Sequence, residues 1–279
     1  MTAGLRTLID AIDRLSGWRR AGVAFIAGAA AATAQAPFYL LPLMAAGFPT
    51  LILLIDGARD GERPFRRGFW AGWLFGFGYF LVSLFWVGFA FLVQAEEFAW
   101  MAPFAVSGLP AFLALFTGLA CGLSARYGGA GWTRIFSFGA LYMAGEYARG
   151  HILTGLPWNL PGQALAGTAA GAQSAAWWGV YGLSLVILLI ATAPVAFRNE
   201  GPRGVRKGAV IAVAATAAIF AIGALRLALH PPADRPDAYV RIVQPNIPQR
   251  EKIDSDLWQR NYERQIALSQ GAAPSGGVG

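Results

Sequence analysis

Charged side chains are scarce in this sequence. Only 13% of its 279 residues are charged, whereas 56% are hydrophobic, and an ordinary soluble domain carries about 25% charged residues. A soluble fold of this size needs more polar surface. The apolar residues form blocks long enough to cross the hydrocarbon core of a bilayer, which takes about 20 residues per helix. The composition therefore predicts a polytopic membrane protein, with most of residues 20–230 in membrane-spanning helices.

Cysteine and histidine are also scarce. Cys121 is the single cysteine, which excludes a disulfide framework and a cysteine-based metal site. The two histidines, His151 and His230, are far apart and fit no metal-ligand spacing. We therefore expect no metal and no cofactor. Cys121 lies within an apolar block, where a thiol stays protonated and inert, so we interpret it as a packing residue.

Basic residues outnumber acidic residues, and the formal net charge is +7. No basic run is interleaved with aromatic residues in the manner of a nucleic-acid surface, so nucleic acid is not an expected partner. In a membrane protein such an excess usually reports topology, because Lys and Arg collect on the cytoplasmic side.

The apolar blocks predict seven spans. They cover residues 21–36, 38–55, 68–93, 103–124, 135–150, 172–197 and 208–229. The first block ends Ala34-Gln35-Ala36, which also fits a signal-peptide cleavage site. We prefer an uncleaved first span with a tight turn at Pro37, because another apolar block follows at once.

The charges between the blocks predict the orientation. With a cytoplasmic N-terminus, the inside segments hold fourteen basic residues, and the outside loops before residue 226 hold only Arg149. This alternation satisfies the positive-inside rule. Seven spans that start inside place residues 230–279 outside.

The tail differs from the rest of the chain, so we predict a domain boundary between residues 1–230 and 231–279. A proline-rich linker at 230–236 precedes an alternating strand at 238–244. An amphipathic helix follows at 254–270, with Asp254 or Ser255 as its cap. One strand and one helix cannot bury a core, so we expect the incomplete opening of an α/β domain.

The segment 145–163 has the strongest polar character near any span. Glu146 and Arg149 are three residues apart, which suits a pair on one helical face. The pair is either a structural ion pair that closes the helix end, or a basic site in which Arg149 binds a lipid phosphate. Prolines and glycines here predict a folded-back loop, with Trp158 at the membrane interface.

Two further segments have alternative interpretations. The aromatic stretch 76–91 is either a lipid-facing helix or a wall that accommodates acyl chains. The turn at Gln244-Pro245-Asn246-Ile247-Pro248-Gln249 is either a plain connection or a ligand-binding turn at the carboxyl end of a strand.

These motifs together resemble the apolipoprotein N-acyltransferase family of the bacterial inner membrane. The resemblance is carried by Glu146-Tyr147-Ala148-Arg149-Gly150-His151, by Leu156-Pro157-Trp158-Asn159, and by the turn 244–249. Residues 78–87 and the predicted topology agree with it. The resemblance implies a multi-span bundle followed by an extracytoplasmic nitrilase-like α/β domain. It implies as partners a phospholipid acyl donor, an apolipoprotein acceptor and membrane lipid.

The resemblance implies acyl transfer by a Glu-Lys-Cys triad through a thioester. It places all three residues after Gly279, so we expect the chain to be truncated before its catalytic residues and assign none. Cys121 lies in the wrong domain, and Glu251 and Lys252 precede the expected position of the catalytic Glu. The substrate-binding candidates are the following: Glu146, Arg149, Pro157, Trp158, Asn159, Gln244, Asn246 and Gln249.

Two other functions stay open at this point. A non-catalytic transporter or lipid-binding bundle would have the same composition, although the sequence has no visible repeat. A related acyltransferase fused to a glycosyltransferase would look identical over these residues.

Overall fold

The computed structural model describes residues 2–59, 61–231 and 241–270, and over these ranges it is helical. The α-helices are α1 Thr2–Asp13, α2 Gly17–Ala32, α3 Leu41–Arg59, α4 Pro64–Ser83, α5 Ala95–Phe98, α6 Ala102–Tyr127, α7 Gly131–His151, α8 Ala169–Ala172, α9 Ala175–Ala196, α10 Gly201–Leu229, α11 Gln249–Ile253 and α12 Trp258–Gln270. Short 3-10 segments lie at Phe85–Leu92, Ala99–Met101, Pro161–Gly167, Arg198–Glu200 and Ser255–Leu257.

Seven of these helices have at least 16 residues, and each overlaps one predicted span. By length and apolar composition, three helical stretches are able to cross a membrane: Leu41–Arg59, Ala95–Tyr127 and Ala175–Leu229. A fourth is the pair Pro64–Ser83 and Phe85–Leu92, if the two are one bent span. The mainly helical, membrane-type fold is therefore confirmed, and the count of seven spans stays a prediction.

The predicted third span, residues 68–93, is not one continuous helix. It breaks after Ser83, and the axis bends by 48° into the 3-10 segment Phe85–Leu92. Two hydrogen bonds accompany the break. The Ser83 hydroxyl donates to the Tyr79 carbonyl at 2.8 Å, a back-bond that bends helices. The Ser83 carbonyl accepts from the Asn159 side chain at 3.4 Å, a contact that no local pattern predicts.

The turn at Pro37 is confirmed. The chain leaves α2 at Ala32, turns through residues 33–38, and enters α3 at Leu41. Gln35, at the centre of this turn, is only 2% exposed.

The chain forms two compact units. The first unit comprises Met1–Val87 and Pro103–Pro231. Within it, α2 packs on α3 and α4, α9 packs on α3, α7 and α10, and α1 packs on α3. The largest buried cluster lies among these helices and includes Phe48, Phe75 and Tyr142.

Glycines allow α4 and α6 to approach closely. Gly68, Gly72 and Gly76 are spaced four residues apart on one face of α4, and a Cβ at each would collide with α6. A Cβ at Gly72 would lie 2.6 Å from the Cys121 Sγ atom. Cys121 is 0% exposed, which agrees with its interpretation as a packing residue.

The second unit comprises Gly88–Ala102 and Pro232–Gly279. The predicted helix at 254–270 is observed as α12, preceded by the 3-10 turn Ser255–Leu257. Asp254 caps that turn, since its side chain accepts a hydrogen bond from the Asp256 amide at 2.9 Å. Residues 232–240 and 271–279, including most of the predicted linkers, lie outside the described residues.

The predicted strand 238–244 is not observed over residues 241–244, which are the part of it that the structure describes. Residues 241–248 have no regular secondary structure, and residues 238–240 lie outside the described part. A strand needs a neighbouring strand to accept and donate its backbone hydrogen bonds, and none occurs within residues 241–270. The predicted turn is also displaced, because Gln249 begins α11.

Candidate functional site

The chain reverses direction directly after α7. Leu153, Gly155 and Asn159 all adopt positive φ angles, of 60°, 70° and 57°. Gly155 adopts this conformation without strain, and it permits the Leu156 amide to donate to the Arg149 carbonyl at 3.0 Å. The predicted folded-back loop is thereby confirmed, and we call residues 152–163 the outer loop, after the orientation that the sequence predicts.

Glu146 and Arg149 form a buried ion pair in the last turns of α7. The Arg149 Nη2 atom donates to the Glu146 Oε2 atom. The two residues are 3% and 2% exposed, respectively. Their spacing of three residues places them on one face of the helix, as predicted.

The Arg149 guanidinium also holds the backbone of the outer loop. Its Nη1 atom donates to the Leu156 carbonyl, and its Nη2 atom donates to the Trp158 carbonyl at 3.0 Å. The Phe80 ring centroid lies 4.9 Å from the guanidinium carbon, within the range of a cation–π contact. Both terminal nitrogens thus have protein acceptors, whereas the buried Nε atom has none among the described residues.

A second, uncharged network lies beside this pair. The Gln35 Nε2 atom donates to the Tyr79 hydroxyl at 2.7 Å and to the Leu160 carbonyl at 3.1 Å. The Tyr79 hydroxyl in turn donates to the Asn159 carbonyl at 2.9 Å. Tyr79 is 1% exposed. Side chains from the α2–α3 turn and from α4 therefore fix the backbone of the outer loop.

The far end of the outer loop is fixed in the same way. The Leu160 amide donates to the Gln163 Oε1 atom at 2.9 Å. The Gly162 amide donates to the Ser184 hydroxyl on α9 at 2.9 Å. Because buried backbone groups need partners, these contacts explain how an irregular segment lies against a bundle of apolar helices.

Aromatic side chains cover the exposed surface of the outer loop. Trp158 stacks on Trp86 with ring centroids 4.9 Å apart, and both indoles are at least 40% exposed. Pro157 beside Trp158 is also exposed. At the end of α7, Tyr147 and His151 stack with centroids 4.0 Å apart. Exposed indoles at the ends of apolar helices are typical of a membrane interface.

The remaining predicted site residues belong to the second unit. Gln244, Asn246 and Gln249 are all exposed, and Asn246 has a positive φ of 49°. Glu251, near the predicted turn, forms an ion pair with Arg260 at 2.6 Å. Across the ranges that the structure describes, no cluster of His, Cys, Asp or Glu is arranged to hold a metal ion.

Sequence reasoning missed Gln35 and Tyr79 as parts of this site. The sequence does contain a signal for Gln35, which is a polar residue at the end of an apolar block. A buried amide in such a place must have hydrogen-bond partners. For Tyr79 the signal is weaker, because a tyrosine among phenylalanines and glycines also fits a lipid-facing helix.

A second, partly buried polar cluster lies at the other end of α7. Arg134 pairs with Asp56 at 2.5 Å, and Arg198 pairs with Asp56 at 2.8 Å and with Asp13 at 2.5 Å. Burial raises the pKa of the Asp13 carboxyl, and its hydrogen bond to Arg198 opposes that rise. Arg134 and Arg149 are fifteen residues apart on α7, which is about 22 Å along a helix.

The fold and this site define a class of protein. It is a membrane protein built from apolar helices, with a buried ion pair that clamps an irregular loop at one end of the bundle. The family model described as "Apolipoprotein N-acyltransferase N-terminal domain" matches residues 27–193. The chain belongs to this family, and the matched range includes the ion pair and the outer loop.

Relatives named apolipoprotein N-acyltransferase extend the likeness over most of the chain. The protein of Caulobacter vibrioides is 42% identical over 252 residues, which are 90% of this chain and 47% of the relative. The protein of Rhodopseudomonas palustris is 39% identical over 259 residues, 91% of this chain and 48% of the relative. That of Rhizobium etli is 39% identical over 284 residues, 98% of this chain and 53% of the relative. The chain spans about half the length of the curated relatives it matches.

Proposed function

We propose that this chain is the membrane part of an enzyme that transfers an acyl chain from a phospholipid to the N-terminal amine of a diacylglyceryl-cysteine apolipoprotein. The observation that carries the proposal is the outer loop, which lies inside the family match and is clamped by the Glu146–Arg149 pair. A loop fixed by so many buried contacts is suited to position a substrate at the bundle's end.

The chemistry that we propose is a two-step acyl transfer. A thiolate attacks the ester carbonyl of the phospholipid, and the lysophospholipid leaves as a thioester forms. The apolipoprotein amine then attacks the thioester, and the thiolate is released. We assign no catalytic residue to this chain, because Cys121 is buried between α4 and α6 and has no base beside it.

The binding candidates divide into two roles in this proposal. Glu146 and Arg149 are buried, and they position the outer loop through the hydrogen bonds that Arg149 donates to its backbone. Pro157, Trp158 and Asn159 belong to the loop itself, and the exposed Trp158 indole contacts the acyl chain or the glycerol region of the donor lipid. This role for Trp158 follows from its exposure and from its stack on Trp86.

Three further binding candidates lie in the second unit. We propose that residues 231–279 begin a nitrilase-like α/β domain, and that Gln244, Asn246 and Gln249 face its substrate. Their exposure leaves these amide groups free to meet a ligand.

We also propose the topology. The protein lies in the bacterial inner membrane with seven spans, a cytoplasmic N-terminus and a periplasmic segment from residue 230. The basic residues of the predicted inside loops support this orientation, as does the position of the outer loop at the opposite end of α7 from Arg134. Single cysteines introduced at residues 5 and 154 in the Cys121→Ala protein test it, since Thr154 is exposed. The proposal requires a membrane-impermeant maleimide to label position 154 alone in intact spheroplasts.

The function is tested with the full-length protein in proteoliposomes. The assay supplies a phospholipid with a labelled acyl chain and a peptide whose N-terminal cysteine carries a diacylglyceryl group and a free amine. Transfer of label to the peptide amine supports the proposal. Absence of transfer, together with accumulation of a polar solute in the vesicles, would instead favour the transporter.

A further inference from the structure

We infer that the end of the bundle near the N-terminus of α2 carries a binding site for a phosphate group, made by four arginines of the first unit. Arg20 of α2 faces Arg63, Arg66 and Arg67 at the start of α4 across a cavity of about 670 Å³. The cavity is lined further by Trp70 and by the loop residues Gly61 and Glu62. This site is remote from the outer loop and does not rest on the proposed acyl transfer.

Arg20 is the central observation. It is 9% exposed, and its Nη2 atom donates to the Leu54 carbonyl at 2.5 Å. Its Nη1 atom is buried and has no hydrogen-bond partner within the described residues. A buried guanidinium nitrogen without an acceptor is costly, so an anionic oxygen in the cavity would satisfy it.

The other three arginines also have no carboxylate partner in the part of the chain that the structure describes. Among residues 2–59, 61–231 and 241–270, no carboxylate oxygen pairs with Arg63, Arg66 or Arg67. Four arginines and one glutamate give these lining residues a formal charge of +3. Like charges held together in this way repel each other unless an anion lies among them.

Other arginines at this end of the bundle behave differently. Arg134 and Arg198 have carboxylate partners, and Arg59 donates to the Gly128 and Gly129 carbonyls. These three arginines therefore have acceptors within the protein, whereas the Arg20 Nη1 atom has none among the described residues. An anion that enters the cavity would supply such an acceptor.

The local geometry brings the guanidinium groups together. Gly61 lets the Arg67 side chain cross the α3–α4 loop, because a Cβ at residue 61 would collide with the Arg67 Nη1 atom. Pro64 begins α4, so Arg63, Arg66 and Arg67 all lie at its first turn. There the free backbone N–H groups also favour an anion.

The chemistry of the ligand follows from the donors. Guanidinium groups match the oxygens of a phosphate in bidentate fashion. Trp70 is 49% exposed beside the cavity, and an interfacial indole is typical of the headgroup depth of a bilayer. Two sources have this chemistry, the headgroup of an anionic lipid and free phosphate, and basic pockets between membrane helices commonly bind the former.

The test uses the full-length protein in a neutral detergent. Binding of phosphatidylglycerol, cardiolipin, phosphatidylcholine and inorganic phosphate is measured by native mass spectrometry and by the shift in thermal unfolding. The site variant is Arg66→Gln with Arg67→Gln. The control is Arg126→Gln with Arg206→Gln, which removes the same charge from two exposed arginines on α6 and α10.

The proposal expects anionic lipid or phosphate to bind the wild-type protein and the control. The site variant should bind the same ligand about 25-fold more weakly, since each of the two replaced arginines contributes about fivefold near an anionic headgroup. Tight binding of the anionic lipids alone identifies a headgroup, and equal protection by phosphate identifies a free anion. An equal loss of binding in the control and in the site variant would overturn the proposal. It would also be overturned if the wild-type protein bound neither the anionic lipids nor phosphate. An unchanged melting temperature of the variant without ligand shows that it is folded.

Discussion

Replacing Arg149 with leucine tests how the outer loop is held. The substitution leaves the Glu146 carboxylate buried at 3% exposure without its cation. It also removes the donors to the Leu156 and Trp158 carbonyls. Removing one partner of a buried ion pair costs about 3–5 kcal/mol, so we expect Arg149→Leu to lower the free energy of unfolding by about that amount.

A double variant distinguishes the contribution of the ion pair to stability from the contribution of the hydrogen bonds to the outer loop. In Glu146→Gln with Arg149→Leu no buried charge remains, and replacing a buried pair by uncharged residues is often close to neutral. The two loop carbonyls still lack donors, at about 1–3 kcal/mol for each unsatisfied group. We therefore expect the double variant to be more stable than Arg149→Leu but less stable than the wild type. Glu146→Gln alone leaves the buried Arg149 guanidinium without its counter-ion, so it should also lower the free energy of unfolding by about 3–5 kcal/mol.

The assay is chemical unfolding of the full-length protein in a mild detergent, with acyl transfer measured in parallel. Arg126→Leu is the control, because Arg126 is exposed on α6 and should change stability by less than about 0.5 kcal/mol. If the double variant is as stable as the wild type, then the bonds to the loop carbonyls contribute nothing, and the clamp is refuted. If acyl transfer survives in Arg149→Leu, the loop does not position substrate.

Three further substitutions test other parts of the fold. Gly72→Leu should lower the free energy of unfolding by about 1–3 kcal/mol by overpacking, because its Cβ would collide with Cys121. The control is Gly108→Leu, which should leave the melting temperature unchanged because a Cβ there has no atom within 4 Å. Cys121→Ala should keep acyl transfer, since the thiol only packs, and an inactive but folded variant would contradict that role. Asp56→Asn should lower the free energy of unfolding by about 3–5 kcal/mol, because Arg134 and a second arginine share this carboxylate; a wild-type melting temperature would show that the cluster is not needed.

Much of the helical part could be predicted from the sequence. Long apolar blocks separated by charged loops predict helices because only helices satisfy the backbone within one segment of a membrane. The spacing of Glu146 and Arg149 predicts their pairing because residues three apart share a helical face. The helix at 254–270 follows from its amphipathic spacing in the same way. Each of these three predictions depends only on residues that are close together in the sequence.

The strand at 238–244 shows where such reasoning fails. Alternation of apolar and polar residues describes the faces of a strand, but a strand also needs a partner for its hydrogen bonds. Residues 241–248 have no such partner among the described residues and form no regular structure. The break in α4 at Ser83 is a comparable case, because Asn159, which contacts the Ser83 carbonyl, is 76 residues away in sequence.

The apolar helices, the distribution of charge between their ends, and the Glu146–Arg149 pair all follow from the amino-acid sequence, since each is set by composition or by a spacing of a few residues. The contacts that those groups make depend on the three-dimensional packing. Gln35 reaches Leu160 across 125 residues of sequence, Arg149 reaches the Trp158 carbonyl, and the buried Arg20 Nη1 atom has no hydrogen-bond partner among the described residues. Helical spacing sets which face of its own helix a side chain is on, whereas its hydrogen-bond partners depend on how distant segments pack in three dimensions.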